Sequence, residues 1–173
     1  LSARHFRESG LPAMIAAILE ETGIPPGRLM VEMTESTMVA DLDSTIEAAR
    51  AIRALGVGLS MDDFGTGFST LANLVNLPLN EVKIDRSFVE RMDRVEESRQ
   101  IVNAVIGMGR NLGMSIVAEG VETQEQLALL DELGCPLVQG FLISHPLEAE
   151  RLPDWVRTWQ QSCSTGLTRL PAA

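Results

Sequence analysis

LSMDDFGTGFSTL, residues 59–71, places two adjacent aspartates, Asp62 and Asp63, at the end of an apolar run with the character of a strand. A Gly-Thr-Gly turn follows, and the residues after it have the spacing of a helix. Two like charges side by side at the end of a buried strand are unfavourable unless another group compensates them. The segment therefore predicts a strand–loop–helix unit with a polar site at the carboxyl end of its strand.

Short apolar runs alternate with longer amphipathic runs along the rest of the chain. Strands are predicted at residues 28–33, 57–61, 81–84, 114–118 and 137–143, and helices at 11–22, 43–55, 69–77, 97–112, 123–133 and 147–161. Asp43 or Ser44 is the expected N-cap of the second of these helices. Strands that alternate with helices form a parallel sheet, either an open doubly wound sheet or a closed (β/α)8 barrel.

Polar side chains at the predicted strand ends distinguish the two architectures. Successive units each deliver one to the same edge: Glu32, Asp62, Asp63, Lys83, Glu119 and Gln139. A barrel distributes its active-site groups over many strand ends, whereas an open sheet concentrates them at one switch point. The pattern favours a TIM-like (β/α)8 barrel, although the sequence shows five clear strands and a sixth in an irregular segment where a closed barrel needs eight.

The chemistry of this edge points to divalent cations. Four carboxylates on one edge are unfavourable without compensation, and Lys83 alone does not neutralise them. Hard oxygen ligands suit Mg²⁺, Mn²⁺ or Ca²⁺, and neither histidine has the spacing of a zinc site. Asp63 is expected to swing round at a fraying strand end, so that both aspartates face one pocket. Two ions there would suit phosphoester hydrolysis, with Lys83 orienting water or neutralising charge on the phosphate. Glu32 taken alone is equally well explained as a surface charge.

Other classes of function fit the sequence less well. The net charge of −10 argues against a nucleic-acid polymer as partner. No apolar run reaches the roughly 20 residues of a membrane span, and no signal peptide opens the chain. The Asp-Phe-Gly triplet lacks the other motifs of a protein kinase, and Gly-Thr-Gly is not a P-loop. Two cysteines without metal spacing indicate free thiols in a cytoplasmic protein.

Five motifs carry a resemblance to a known family: VEMTES, DDFGTGFSTL, VKIDRSFV, VAEGVET and GCPLVQGFLISHPL. In this order and spacing they resemble the EAL domain family of bacterial cyclic di-GMP phosphodiesterases, from about Leu1 to Trp159. The resemblance implies a (β/α)8-like barrel that hydrolyses cyclic di-GMP to linear pGpG with two Mg²⁺ or Mn²⁺ ions. Ca²⁺ is expected to bind the same site and inhibit.

The resemblance also implies residue roles. Glu32 resembles a metal ligand, Asp62 the ligand that bridges both ions, and Asp63 and Glu119 ligands of the second ion. Lys83 resembles the group that helps to activate the attacking water. Positions that line the pocket or shape the neighbouring loop complete the set: Glu122 and Gln139 in the pocket, Glu35 as the loop anchor, and Phe64, Gly65, Thr66, Gly67, Phe68 and Ser69 in the loop.

The family's defining Glu-Ala-Leu motif and an Asn that normally precedes a segment like LSAR are absent from the sequence. The resemblance therefore implies an N-terminally truncated domain over residues 1–161, without the first two strands and the first helix, followed by a flexible tail at 162–173. We expect another segment or chain to cover the exposed strand edges. The loop after Asp62–Asp63 implies a homodimer, and the family implies an upstream sensory or GGDEF domain. A non-catalytic cyclic di-GMP sensor, a protein-interaction module and a hydrolase of another phosphoester are the alternatives.

Overall fold

The computed structural model describes residues 1–7, 10–67 and 71–164 of the 173-residue chain. Over these residues the fold is α/β, with one parallel sheet of five strands in the order of the chain. The strands are β1 (Met30–Thr34), β2 (Gly58–Phe64), β3 (Glu81–Ile84), β4 (Ser115–Ala118) and β5 (Leu137–Val138). A doubly wound sheet would reverse its strand order at a switch point. The unbroken order confirms the expected barrel architecture, here as an incomplete barrel.

Helices connect the strands and flank the sheet. They are α1 (Ala3–Arg7), α2 (Leu11–Thr22), α3 (Glu35–Ala40), α4 (Leu42–Ala54), α5 (Leu71–Asn76), α6 (Arg86–Val89), α7 (Glu96–Leu112), α8 (Gln124–Glu132) and α9 (Leu152–Ser164). Two 3₁₀ turns, Pro26–Arg28 and Ala149–Arg151, precede β1 and α9. None of the helices in the described part of the chain is both long and apolar enough to cross a membrane.

Several of the predicted boundaries were wrong, among them the end of the strand predicted at 57–61, which continues to Phe64. The strand predicted at 137–143 ends at Val138, because the backbone turns at Gly140, whose carbonyl accepts from Ile143 and Ser144. Asp41, not Asp43 or Ser44, caps α4 and accepts a hydrogen bond from the Ser44 amide at 3.2 Å. The last helix begins at Leu152 and continues to Ser164, beyond the predicted boundary at 161. Residues 165–173 of the predicted tail lie outside the described part.

The core lies between the sheet and its helices. Met30 of β1 and Leu137 of β5, in the two outer strands, are 41% and 48% exposed, but most other apolar side chains of the strands are buried, as expected when both faces of a parallel sheet are covered. Among them, Met33, Leu59, Met61, Ile84 and Ile116 are at most 1% exposed. Cys135 is a half-buried free thiol, and burial raises its pKa.

Asn80 fixes the register of three strands at their amino ends. Its side-chain oxygen accepts from the Leu59 amide at 3.0 Å, and its own amide donates to the Leu59 carbonyl at 2.9 Å. Its carbonyl accepts from the Ser115 amide at 2.8 Å. Because β2, β3 and β4 are aligned at this end, their polar residues meet at the opposite, carboxyl end.

Candidate metal centre

Lys83 lies at the centre of the polar cluster that forms at the carboxyl ends of the strands. Its Nζ lies 2.6 Å from Glu119 Oε1, 3.2 Å from Glu32 Oε1 and 3.2 Å from Asp62 Oδ1. The Lys83 side chain is 9% exposed, whereas that of Glu32 is 47% exposed at the outer margin. β1, β2, β3 and the residue after β4 therefore each contribute one charged group to a single cluster, as the sequence predicted.

A break in the strand pairing brings the second aspartate to the same site. The register between β2 and β3 shifts between Met61 and Phe64, and Asp63 has a φ of 55°. This left-handed conformation is uncommon for residues other than glycine, although aspartate adopts it more readily than most. The expectation of a fraying strand end was wrong, because β2 continues to Phe64. A bulge inside the strand turns Asp63 instead.

The resulting arrangement suits a hard divalent cation. Carboxylate oxygens of Asp62, Asp63 and Glu119 all lie within 4.8 Å of one another. Asp62 Oδ1 is buried and has no hydrogen-bond donor, so its contact with Lys83 is an ion pair without hydrogen-bond geometry. A buried acceptor without a donor is costly, and a cation would satisfy it. The donor set of carboxylates alone matches the preference of Mg²⁺, Mn²⁺ and Ca²⁺.

The charges in this cluster are strongly coupled. Burial works to lower the pKa of Lys83, but its contacts with Glu119, Asp62 and Glu32 outweigh burial, so this pKa lies well above its ordinary value. Burial raises the pKa of Glu119, against the stabilising effect of the Lys83 ammonium. Burial and the nearby carboxylates of Asp62 and Asp85 also raise the pKa of Asp63. One ammonium thus leaves an excess of negative charge that a bound cation would offset.

Glu35 holds the loop that follows the two aspartates. It is 3% exposed at the start of α3, and its Oε2 accepts hydrogen bonds from the amides of Gly65 at 3.3 Å and Gly67 at 3.0 Å. Thr66 continues this turn by donating its hydroxyl to the Asp63 carbonyl at 2.9 Å. The predicted contact between Glu35 and the loop is therefore present. Phe68 and Ser69 lie outside the described residues.

Both loop glycines stand where a side chain would collide. A Cβ at Gly67 would lie 2.8 Å from Glu35 Cδ. A Cβ at Gly65, whose φ is +101°, would lie 2.9 Å from the ring of Phe88 in α6. The loop therefore packs directly against Glu35 on one side and α6 on the other.

The two predicted pocket residues lie in the segments that follow β4 and β5. Glu122 is exposed, and its Oε1 accepts from Arg86 Nη2 at 2.9 Å. Gln139 follows β5 with an exposed side chain, and its backbone pairs with Ala118 and Val121. Among the described residues, Glu122 is not one of the carboxylates close enough to share a cation.

Three residues beside the site were not predicted from the sequence. Asp85 acts on the pKa of Asp63 and caps α6 through the Ser87 amide at 2.9 Å. It follows β3 directly, so the rule that selected the other strand-end residues would have found it. Arg86 and Phe88 lie in α6, and no pattern in the sequence indicates their contacts with Glu122 and Gly65.

Comparison with known proteins identifies the family. The sequence matches the EAL domain over residues 1–146. Cyclic di-GMP phosphodiesterase NbdA of Pseudomonas aeruginosa is 42% identical over 171 residues, which cover 99% of this chain and 22% of that protein. The chain spans between 18% and 36% of the length of eight curated relatives that match it.

Solved structures share the fold. The PaMucR phosphodiesterase, solved as a c-di-GMP complex, has a TM-score of 0.84 and 43% identity, with 88% of this chain and 62% of that chain covered. Klebsiella pneumoniae BlrP1 has been solved with cyclic di-GMP and either manganese or calcium. In both cases the TM-score is 0.77 at 31% identity, with 82% of this chain and 36% of that chain covered. The sequence match over most of the chain, the strand order and these shared folds together show that the chain belongs to the EAL domain family.

Proposed function

We propose that the intact EAL domain to which this chain belongs hydrolyses cyclic di-GMP to linear pGpG with two Mg²⁺ or Mn²⁺ ions. The observation that carries the proposal is the convergence of the Asp62, Asp63 and Glu119 carboxylates, within 4.8 Å of one another, beside the Lys83 ammonium. Relatives named as cyclic di-GMP phosphodiesterases, and neighbours solved with cyclic di-GMP, support the choice of substrate. The same residues suit the hydrolysis of any phosphodiester, so the choice of cyclic di-GMP rests on the relatives.

The carboxylates divide into two overlapping ligand sets. Glu32 and Asp62 would hold one ion, while Asp62, Asp63 and Glu119 would hold the other, so that Asp62 serves both. When bound, the ions would neutralise the carboxylates and make water more acidic. Hydrolysis adds the oxygen of water to phosphorus, breaks one bond from phosphorus to a ribose oxygen, and transfers a proton to that oxygen.

Lys83 acts in this proposal as a donor rather than as a base. The ordinary pKa of a lysine lies well above neutral pH, so the ammonium is charged there and has no lone pair with which to accept a proton. The ammonium can donate hydrogen bonds to the attacking water or to a phosphate oxygen, and its charge opposes the negative charge that develops there. Glu35 keeps the adjoining loop ordered through the amides of Gly65 and Gly67.

The proposal extends to the setting of the domain. It includes a homodimer formed through the loop after Asp62 and Asp63, an upstream sensory or GGDEF domain, and a cytoplasmic location. Ca²⁺ is included as a cation that binds without supporting turnover, because it is larger than Mg²⁺ and less strict in its coordination geometry.

Replacement of Glu119 tests the enzyme. The purified protein with the intact domain is incubated with cyclic di-GMP and Mn²⁺, and pGpG is measured by anion-exchange chromatography. Glu119→Gln removes one charged ligand at nearly constant volume, and we expect turnover to fall about 100-fold or more. Glu125→Gln, on the exposed first turn of α8, is the matched control and should retain turnover.

Two outcomes would overturn this function. An unchanged rate for Glu119→Gln would remove Glu119 from the site. Cyclic di-GMP binding by the intact domain without any pGpG would favour the alternative of a non-catalytic sensor.

A further inference from the structure

Arg86, the first residue of α6, contacts the segment that carries Glu119. Its Nη2 lies 2.9 Å from Glu122 Oε1, and its Nε lies 3.8 Å from Glu90 Oε2. The Arg86 side chain is 52% exposed, so it is not part of the core. Exposed ion pairs add little to the free energy of unfolding. These contacts therefore matter for the local backbone geometry rather than for overall stability.

The aliphatic part of Arg86 lies over the residue that follows Glu119. Gly120 has a φ of +69°, and a Cβ built there would collide with Cγ of Arg86. Only glycine permits both this backbone conformation and this close approach. Arg86 therefore covers the turn at Gly120 with its stem and binds Glu122 with its guanidinium.

The backbone around this turn is held at both ends. The Glu119 amide donates to the Ile84 carbonyl at 3.2 Å, and the Val121 amide donates to the Gln139 carbonyl at 3.0 Å. Gln126 Oε1 accepts from the Glu122 amide at 2.8 Å. The Leu142 amide also donates to the Val121 carbonyl at 3.0 Å, and between these anchors Arg86 lies over Gly120.

We infer that Arg86 is a positioning residue that fixes the 119–122 turn, so that the Glu119 carboxylate points at Lys83 and the two aspartates. Glu122 then acts as the partner of Arg86 rather than as a metal ligand. The inference rests on the proposed function only for the identity of the ion that the Glu119 carboxylate binds. The contact of Arg86 with Gly120 and Glu122 does not depend on that function.

Three substitutions separate the two parts of the Arg86 side chain. Arg86→Ala removes the stem and the charge, Arg86→Met keeps most of the stem, and Arg86→Lys keeps the stem and the charge. Arg99→Met is the matched control, because Arg99 is a similarly exposed arginine that pairs with Glu96 within α7. For each variant we would measure the Mn²⁺ affinity by titration calorimetry and the hydrogen exchange of the amides at 119–123. The unfolding midpoint and the KM and kcat for cyclic di-GMP complete the comparison.

We expect Arg86→Ala to weaken Mn²⁺ binding several-fold and to speed exchange at 119–123, with the unfolding midpoint unchanged. Arg86→Lys should restore most of the affinity, and Arg99→Met should match the original sequence. Adding Arg86→Met to Glu122→Gln should give little further loss, since both remove the same ion pair. For Arg86→Ala we expect the fold decrease in kcat to exceed the fold increase in KM.

Unchanged Mn²⁺ affinity and unchanged exchange in Arg86→Ala would overturn the inference, as would equal losses in Arg99→Met. If the intact domain binds Mn²⁺ but makes no pGpG, the proposed function fails, while the affinity and exchange comparisons still decide the role of Arg86. If it binds no Mn²⁺, the proposed function fails, and the exchange comparison at 119–123 alone decides the role of Arg86.

Discussion

At the scale of single residues, the loop beside the aspartates depends on the absence of side chains. Glu35 is buried, and its Oε2 has two loop amides as partners, so it accepts hydrogen bonds that only a close backbone can provide. That closeness leaves no room for a Cβ at Gly67. A buried carboxylate that loses its donors is costly. Gly67 and Glu35 therefore act as one unit.

Gly67→Ala tests this unit. We expect the free energy of unfolding to fall by about 1–3 kcal/mol, because the new methyl group displaces the Glu35 carboxylate from its amides. Gly107→Ala is the control, since a Cβ at Gly107, inside α7, has nothing within 4 Å. It should gain about 0.5–1 kcal/mol from the better helix propensity of alanine. Urea denaturation measures both, and equal effects of the two substitutions would contradict the proposed packing of the loop.

At the scale of elements, α8 shows how a helix start can serve the site. Thr123 accepts from the Gln126 amide at 3.2 Å, and Gln126 Oε1 accepts from the amides of Thr123 and Glu122. This capping box fixes the point at which the chain leaves the Glu119 turn and enters α8. Gln126 Nε2 also reaches the Glu90 carbonyl after α6 at 3.5 Å, which links the two helices.

Removal of the cap should therefore affect stability first. We expect Thr123→Ala to lower the free energy of unfolding by about 1 kcal/mol, and Thr123→Ser to retain most of it, because serine keeps the accepting hydroxyl. Urea denaturation provides the measurement. A loss as large in the serine variant as in the alanine variant would assign the effect to the methyl group of Thr123 and not to the cap.

Elements with strong local signals were predictable, and elements made by tertiary contacts were not. The bounds of α2 and β3 agree with the prediction at 11–22 and 81–84, because glycine and proline follow the helix and turn residues precede the strand. The short helices α3 and α6 have four to six residues, too few for a periodic pattern. The bulge at Asp62–Asp63 depends on pairing between β2 and β3, which no local pattern encodes.

The candidate site divides in the same way. Glu32, Asp62, Lys83 and Glu119 could be predicted to meet, because the carboxyl ends of parallel strands form one edge. The contacts of Arg86 with Glu122 and of Phe88 with Gly65 depend on how α6 packs over that edge. Side-chain packing between distant segments produces no periodic pattern in a single sequence, so it could not be predicted.

At the scale of the whole molecule, the distribution of charge places repulsion between carboxylates at the site. The sequence carries a net charge of −10, and Lys83 is its single lysine. That lysine lies among three carboxylates, where its ammonium offsets charges that would otherwise repel one another. The metal-free fold therefore relies on Lys83 for a neutralisation that a cation would also provide.

Lys83→Met should make this dependence measurable. In the presence of a chelator we expect the unfolding midpoint to fall, because the substitution leaves partly buried carboxylates without their counter-charge. Mn²⁺ should then raise the unfolding midpoint more in Lys83→Met than in the original sequence. For the original sequence, a free Mn²⁺ concentration of 100 times the dissociation constant adds about 2.7 kcal/mol to the free energy of unfolding. Arg99→Met removes the same single charge outside the site and should behave as the original sequence in both conditions. Differential scanning fluorimetry with and without Mn²⁺ makes the comparison, and an equal or smaller gain from Mn²⁺ in Lys83→Met would show that Lys83 does not substitute for a cation in the fold.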